Sequence, residues 1–204
     1  MARTQAERSA ATQRALIAAA RRLWGERGYA EVSTPEIAEA AGVTRGAMYH
    51  QYADKAALFR AVIEAMDQEL IERIQAMVVA AEPKTPAETM HAMADAWLDI
   101  AGEPEIRQLM LLDGPSVIGW AEYREMSQRQ SLAAAEDLLN AAIEAGEIKP
   151  QPVRPLAMVL LGAFDEAAMY LAEAPDTGQA REEVRAVIRD LIDGLLTGPA
   201  RRRD

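Results

Sequence analysis

The most constraining feature of this 204-residue sequence is a pair of short helical segments that meet at Gly42. Ser33 opens a Ser-x-x-Glu capping box that closes at Glu36, and Pro35 fits a first helical turn. Gly42 ends this helix after about two turns because it permits a sharp turn without a Cβ clash. Thr44 can then cap a second, very short helix. A helix, a tight glycine turn and another helix make the helix-turn-helix arrangement.

Helical patterns continue through the rest of the chain. Leu16, Ala20, Leu23 and Trp24 recur at helical spacing, and alternating runs of Val, Ile and Thr are absent. We therefore predict an all-α fold with a three-helix helix-turn-helix head and a body of about six helices, nine helices in total. The predicted helices cover about 5–27, 33–41, 44–49, 55–80, 87–100, 104–112, 116–146, 155–173 and 180–196, with a Gly-Pro break at 114–115.

The composition narrows the class of protein. The absence of cysteine excludes disulfides, thiolate metal sites and cysteine nucleophiles. The first residues lack the apolar core of a signal peptide, and no run of about 18 apolar residues is present, so we expect a cytoplasmic protein without a membrane span. Two histidines and no convincing carboxylate pair argue against an enzyme. No catalytic residue, metal ligand or cofactor is therefore predicted.

Charge is distributed unevenly along the chain, whose net charge is −10. Residues 1–60 contain nine Lys and Arg against six Asp and Glu, a net charge of +3. Residues 61–204 contain thirteen against twenty-six, a net charge of −13. This asymmetry suits a protein whose head alone contacts phosphates. A small segment that is positive by chance explains it equally well, so charge alone assigns no function.

The stretch from Ser33 to Tyr52 is a candidate DNA-reading motif. Small residues at Gly46 and Ala47 would let the second short helix enter the major groove, and Arg45 can make a bidentate contact to guanine. Hydroxyl and basic groups along the same stretch can bond phosphates. A solvated Arg45 and a core Tyr49 are the plainer alternatives. The predicted DNA contacts are Thr34, Thr44, Arg45, Gly46, Ala47, Tyr49, His50, Gln51 and Lys55.

The segment GYAEVSTPEIAEAAGVTRGAMYHQYADKAALFRAV, residues 28–62, resembles the TetR family of bacterial transcriptional regulators. The matches include Gly28-Tyr29, the Ala-Gly-Val-Thr run at 41–44 and the Leu-Phe pair at 58–59, and residues 14–28 resemble the first helix of the family. Gln51 and Tyr52 depart from the His-Phe pair that is common in the family.

This resemblance implies a cytoplasmic bacterial regulator with two domains. Residues 1–54 would form the DNA-binding domain, with the helix-turn-helix motif at about 33–52, followed by a linking helix over 55–80. Residues 81–204 would form a ligand-binding and dimerisation domain.

The body carries large and flexible apolar side chains of the kind that line adaptable pockets. Met90, Met93 and Trp97 lie at i, i+3 and i+7 and so share one helix face. Core packing explains each such residue singly, whereas the set favours a pocket. The predicted pocket residues are Met90, Met93, Trp97, Met110, Trp120, Tyr123, Met126, Phe164 and Asp165.

The last two predicted helices favour a dimer interface. One carries small residues and the other has heptad-like apolar spacing, so two copies could build a four-helix interface about a two-fold axis. Packing within one subunit is the alternative. The predicted interface residues are Ala157, Leu161, Gly162, Ala168, Val184, Ile188, Leu191 and Leu195.

A mechanism follows from these expectations. A homodimer would present two recognition helices to successive major grooves of double-stranded operator DNA, about 34 Å apart. An unidentified small apolar or amphipathic effector in the body would displace the helix over 55–80 and lower operator affinity. A DNA-binding architectural or assembly factor that needs no small molecule is the alternative, and the sequence does not decide between repressor and activator.

Overall fold

A computed structural model describes residues 4–174 and 177–197, which form ten α-helices and one π-helix. Extended pairing within these residues is limited to a bridge between Ile148 and Leu196. The all-α prediction is confirmed, with ten α-helices in place of nine. The helices are α1 (Gln5–Arg27), α2 (Thr34–Ala40), α3 (Arg45–Gln51), α4 (Lys55–Ala80), α5 (Pro86–Ala101), α6 (Pro104–Ile106), the π-helix (Arg107–Asp113), α7 (Gly114–Ile118), α8 (Trp120–Glu144), α9 (Val153–Glu173) and α10 (Thr177–Leu195).

The difference in helix count arises between residues 104 and 144. The expected break at 114–115 is wrong, because Pro115 lies in the first turn of α7, where its missing N–H leaves no bond unmade. The chain breaks instead at Gly119, whose φ of 91° is in the left-handed region that favours glycine. The segment predicted as one helix over 104–112 is divided between α6 and the π-helix.

The described chain divides into two compact units. The first extends to Gln68 and includes Pro104–Arg124, and the second comprises Glu69–Glu103 and the chain from Glu125 onward. Both α4 and α8 contribute residues to each unit. The sequence assigned residues 104–124 to the regulatory body, whereas in the structure they cluster with the helix-turn-helix head.

An aromatic cluster forms the centre of the first unit. Trp24 of α1 and Phe59 of α4 are fully buried, and their ring centroids lie 5.5 Å and 5.0 Å from that of Tyr29. Leu16 and Ile37 are also fully buried and join α1 to α2. Each such side chain contributes about 1.5–3 kcal/mol when it leaves water. This cluster fixes the helices that carry the predicted DNA contacts.

The second unit combines an apolar core with a row of ion pairs. Leu98, Leu139 and Ile192 are buried in one hydrophobic cluster that draws on α5, α8 and α10. Along α5 and α10, Arg185 donates to Asp99 at 2.7 Å and Arg189 donates to Asp95 at 2.6 Å, and His91 and Asp193 lie 2.9 Å apart. These pairs are partly exposed, so they specify the register of the two helices more than they stabilise the fold.

Candidate nucleic-acid interface

The start of α2 is fixed by the capping box that the sequence predicts. The Ser33 N–H donates to Glu36 Oε2 at 2.8 Å, and the Ser33 hydroxyl caps the backbone N–H of Glu36. The pKa of Glu36 is lowered to about 2, first by the Ser33 backbone N–H, then by the Ser33 hydroxyl and by Arg27. Since Ser33 is the cap, Thr34 is the first residue of α2 and its side chain is free for another contact.

The turn between α2 and α3 depends on Gly42. Its φ is 68°, and the neighbouring Val43 N–H donates to the Ala38 carbonyl at 3.0 Å. A Cβ at Gly42 would meet nothing within 4 Å, so glycine is required there by backbone conformation and not by space. Thr44 then caps α3 by accepting from the Ala47 N–H at 3.1 Å.

The outer surface of α3 carries the predicted reading residues. Met48 is fully buried and anchors the helix, whereas Arg45, Gly46, Tyr49 and His50 are exposed. The four exposed residues occupy positions i, i+1, i+4 and i+5 and therefore share one helix face. We call this set of four residues the reading face. It is open to solvent and contains a cation, a hydroxyl, an imidazole and a residue without a side chain.

Tyr49 is held in place by two neighbours. Its hydroxyl oxygen lies 3.1 Å from Thr34 Oγ1, and the guanidinium of Arg45 lies 5.5 Å from the centroid of its ring. The pKa of Tyr49 is lowered, first by the hydrogen bond with Thr34 and then by Arg45. Thr34 of α2 and Tyr49 of α3 thus place two hydroxyl groups together at the surface, which suits a phosphate contact.

Gln51 and Lys55 have partners within the protein. Gln51 Oε1 accepts from the Ser9 hydroxyl at 3.0 Å. Lys55 Nζ donates to the Tyr29 carbonyl at 2.6 Å and lies 4.1 Å from the centroid of the Tyr29 ring. Burial lowers the pKa of Lys55, and the negative charge of Asp113 opposes that shift. Phosphate contact by these two residues stays a prediction. It would require the Gln51 amide and the Lys55 ammonium to bond DNA in addition to, or in place of, these internal partners.

The residues predicted to line a ligand pocket fall into both units. Met90 belongs to the buried core of the second unit, where Trp97 Nε1 donates to the Phe164 carbonyl at 3.2 Å. In the first unit the Tyr123 hydroxyl donates to the Met110 carbonyl at 2.6 Å. The pocket stays a prediction. The second unit contains Met90, Met93, Trp97, Met126, Phe164 and Asp165. The first unit contains Met110, Trp120 and Tyr123, and the side chain of Trp120 is 59% exposed.

The residues predicted to form a dimer interface differ in accessibility. Ala157, Ala168 and Ile188 are buried within their own subunit, whereas Leu191 is 39% exposed. Leu161, Gly162, Val184 and Leu195 are half-buried. Large apolar side chains outside this predicted set are more open, namely Val159 at 66%, Tyr170 at 53% and Val187 at 65% exposure.

α9 is long and apolar enough to span a bilayer by length and composition, and 28% of its most apolar window is buried in the described structure. A single helix of this kind is weak evidence for a membrane span, and an open apolar face is equally what a subunit interface requires.

Three acidic side chains that sequence reasoning missed contact the head. Glu105 forms a bidentate pair with Arg21 at 2.9 and 2.8 Å, and Asp113 accepts from the Tyr29 N–H at 2.8 Å. Glu122 accepts from Arg60 at 2.8 Å. The only local signal for Asp113 is a single carboxylate that directly follows an apolar run ending at Leu112.

Comparisons with known proteins agree with this geometry. Residues 16–62 match the profile described as bacterial regulatory proteins, tetR family, and residues 87–195 match the profile described as tetracyclin repressor-like, C-terminal domain. The crystal structure of a TetR-family transcriptional regulator from Pectobacterium atrosepticum is 36% identical, covers 97% of this chain and 100% of that chain, and superposes with a TM-score of 0.84.

Two further relatives share the architecture over nearly their full length. The helix-turn-helix transcriptional regulator AcrR of Shigella flexneri is 26% identical over 99% of this chain and 97% of its own. The transcriptional regulator FadR from Bacillus subtilis, solved in complex with stearoyl-CoA, is 20% identical, covers 91% of this chain and 98% of that chain, and has a TM-score of 0.69. With both domains matched in order and a reading face on α3, the chain belongs to the TetR family and is a DNA-binding helix-turn-helix transcriptional regulator.

Proposed function

We propose that this protein is a homodimeric repressor that binds a two-fold symmetric operator and leaves it when a small apolar or amphipathic molecule binds the regulatory body. The observation that carries the proposal is the reading face of α3, which is open, polar and built around Arg45. It lies in a segment of net charge +3 within a chain of net charge −10. Attraction to phosphates would therefore be confined to the head.

The reading face is suited to the major groove. Gly46 carries no side chain and Ala47 is half-buried, so the start of α3 can approach base edges closely. Arg45 is exposed and can donate two bonds to guanine. The hydroxyls of Thr34 and Tyr49, 3.1 Å apart, can donate to phosphate and fix the register of the helix on the duplex.

The open faces of α9 and α10 support a homodimer. Gly162 and Gly194 have no heavy atom within 4 Å of a Cβ position, so a second backbone could approach there without a clash. The same helices carry the exposed side chains of Val159, Tyr170 and Val187, which such an interface would bury away from water. Two subunits paired through these helices would place two copies of α3 on successive major grooves, about 34 Å apart.

The effector class is inferred from the body. Met90, Met93, Trp97 and Phe164 place flexible and aromatic groups on α5 and α9, a composition that suits apolar ligands. The FadR relative was solved with stearoyl-CoA, which supports an amphipathic ligand for this chain too. Bound effector would then lower the affinity for the operator, and bound operator would lower the affinity for the effector by the same factor.

Two measurements test the proposal. Fluorescence polarisation with duplex fragments that flank the gene should give tight binding to one fragment, with affinity that falls steeply as salt rises. Weak binding that is alike for all fragments would contradict a specific operator.

A panel of aromatic and acyl compounds is then screened by thermal shift. Compounds that raise the melting temperature should lower operator affinity by the same factor by which DNA lowers theirs. Compounds that bind and leave operator affinity unchanged would remove the effector step from the proposal.

A further inference from the structure

The peptide group of Tyr29 is held by side chains on both of its polar sides. Asp113 Oδ2 accepts from the Tyr29 N–H at 2.8 Å, and Lys55 Nζ donates to the Tyr29 carbonyl at 2.6 Å. The ring of Tyr29 packs against Trp24 and Phe59. A half-buried residue in a loop is thereby fixed at its amide, its carbonyl and its side chain.

Asp113 is itself oriented by the π-helix that it ends. Gln108 Nε2 donates to Asp113 Oδ2 at 3.1 Å, and a Cβ on Gly28, whose φ is 81°, would lie 3.2 Å from the same nitrogen. The π-helix therefore packs directly against the Gly28-Tyr29 turn.

On its other side the π-helix is fixed by Tyr123. The hydroxyl of Tyr123 donates to the Met110 carbonyl at 2.6 Å, and a Cβ on Gly114 would lie 2.5 Å from the Tyr123 ring. π-Helical turns are rare and occur frequently at functional sites. The carboxylate that reaches Tyr29 is thus part of a rigid support, although it lies more than eighty residues away in the sequence.

The turn that Asp113 holds leads into the reading elements. Residues 28–33 connect the end of α1 to the Ser33 cap of α2, and Arg27 donates to the Glu31 carbonyl within that turn at 2.7 Å. α2 in turn carries Thr34, whose hydroxyl meets Tyr49 of α3. A change at Tyr29 would therefore reach the reading face through a continuous set of contacts.

We propose that Asp113 is a positioning residue for operator binding: by holding the Tyr29 amide it fixes the α1–α2 turn and, through Thr34 and Tyr49, the orientation of α3. This inference rests on the proposed function and adds to it a residue from outside the helix-turn-helix motif. Asp113 touches no DNA. Its removal should cost affinity for the operator while binding to unrelated DNA, which needs no oriented α3, stays unchanged.

The test compares three variants on the duplex that the wild-type protein itself selects from a randomised pool, with a scrambled duplex as the non-specific reference. Asp113→Ala removes the acceptor. Asp113→Asn keeps an oxygen that can accept from Tyr29 and removes the charge. Glu122→Ala removes the same charge from the same compact unit but breaks only the exposed pair with Arg60. Amide exchange of residues 28–33 is followed in each variant.

Asp113→Ala should lose about tenfold in operator affinity, because the Tyr29 N–H is left without its acceptor, with binding to the scrambled duplex unchanged. Its Tyr29 amide should exchange faster. Asp113→Asn should stay within about threefold of wild type, as should Glu122→Ala, because the acceptor and not the charge is what matters.

Operator binding by Asp113→Ala equal to wild type, or an equal loss on both duplexes, would overturn the positioning role and leave the proposed function intact. An Asp113→Asn variant as weak as Asp113→Ala would overturn it too. If the wild-type protein selects no sequence from the pool, both the proposed sequence-specific binding and the positioning role of Asp113 are contradicted.

Discussion

α3 and α9 present opposite kinds of surface. α3 buries Met48 and exposes a cation, an imidazole and the ring and hydroxyl of Tyr49. α9 exposes Val159 and Tyr170 and buries Ala157 and Ala168. The first surface is stable in water and becomes functional when it meets a polyanion. The second leaves apolar area in water, which is typical of a surface that packs against another apolar surface.

This difference explains why one function is local and the other is not. The DNA contacts that we predict lie within a stretch of about twenty residues, and caps at Ser33 and Thr44 fix the geometry of that stretch. The dimer interface and the effector site that we propose combine residues from helices that are far apart in sequence. The comparison can be tested by changing each surface in turn.

The largest expected effect is at the open face of α10. Val187→Glu would place a charge on a side chain that is 65% exposed and that we assign to the dimer interface. We expect a monomer, and a loss of about a hundredfold or more in operator affinity because two linked heads gain by effective concentration. Sedimentation and fluorescence polarisation measure the two quantities. Ala141→Glu, which adds the same charge to an exposed position of α8, is the control. A dimeric Val187→Glu would refute the assigned interface.

A second effect concerns a half-buried carboxylate on α4. Burial raises the pKa of Asp67 from 3.8 to about 6, so the ionised form destabilises the fold at neutral pH. Asp67→Asn should raise the free energy of unfolding at pH 7.5 by about 1–2 kcal/mol, after discount for the exposed part of the side chain. The gain should shrink as pH falls through 6 and vanish below the unfolded value of 3.8. Urea titrations of Asp67→Asn and of Glu64→Gln, an exposed control on α4, measure it. A gain that does not depend on pH would exclude this cause.

The hydroxyl of Tyr49 should have a smaller effect on DNA binding. Tyr49→Phe removes the contact with Thr34 and one phosphate donor, so we expect affinity to fall about three- to tenfold. The loss should be alike for operator and unrelated DNA because a phosphate contact carries no sequence information. Tyr52→Phe, which removes the hydroxyl of a half-buried tyrosine outside the predicted DNA contacts, is the matched control. A change in base preference would instead place Tyr49 among the base-reading residues.

The smallest effect is at the cap of α2. The pKa of Glu36 is lowered from 4.5 to about 2, so its contribution to stability is complete above 4.5 and is lost as pH falls toward 2. Glu36→Gln should lower the melting temperature slightly at pH 7 and match wild type near pH 2, with Glu39→Gln as the reference on the same helix. A difference that persists at pH 2 would mean that the carboxylate charge is not responsible.

The head was predictable because its signals are local. α1 runs over Gln5–Arg27 and α4 over Lys55–Ala80, the bounds that the sequence predicts. The Ser33 box and the turn at Gly42 also follow from residue type. Such features depend on bonds between residues three or four positions apart, which a sequence displays directly.

Contacts between distant residues could not be predicted in this way. The Tyr29–Asp113 bond joins positions 84 residues apart, and Lys55 has an internal partner that its place in the first turn of α4 does not reveal. On α9 the face that stays open cannot be assigned from the sequence, because apolar residues such as those at 156–161 follow one another around the whole helix. The sequence therefore selected Ala157 and Ala168, whereas the structure leaves Met158 and Val159 open.

The central claim is that the reading face of α3 recognises base sequence through Arg45. The most direct test is selection of duplexes from a randomised pool by wild type, by Arg45→Ala and by Arg22→Ala, an exposed arginine on α1. We predict a two-fold symmetric motif for wild type and Arg22→Ala, with half-sites about ten base pairs apart. Arg45→Ala should lose preference at one guanine in each half-site, about 1–3 kcal/mol of discrimination. An unchanged motif with Arg45→Ala would contradict the claim.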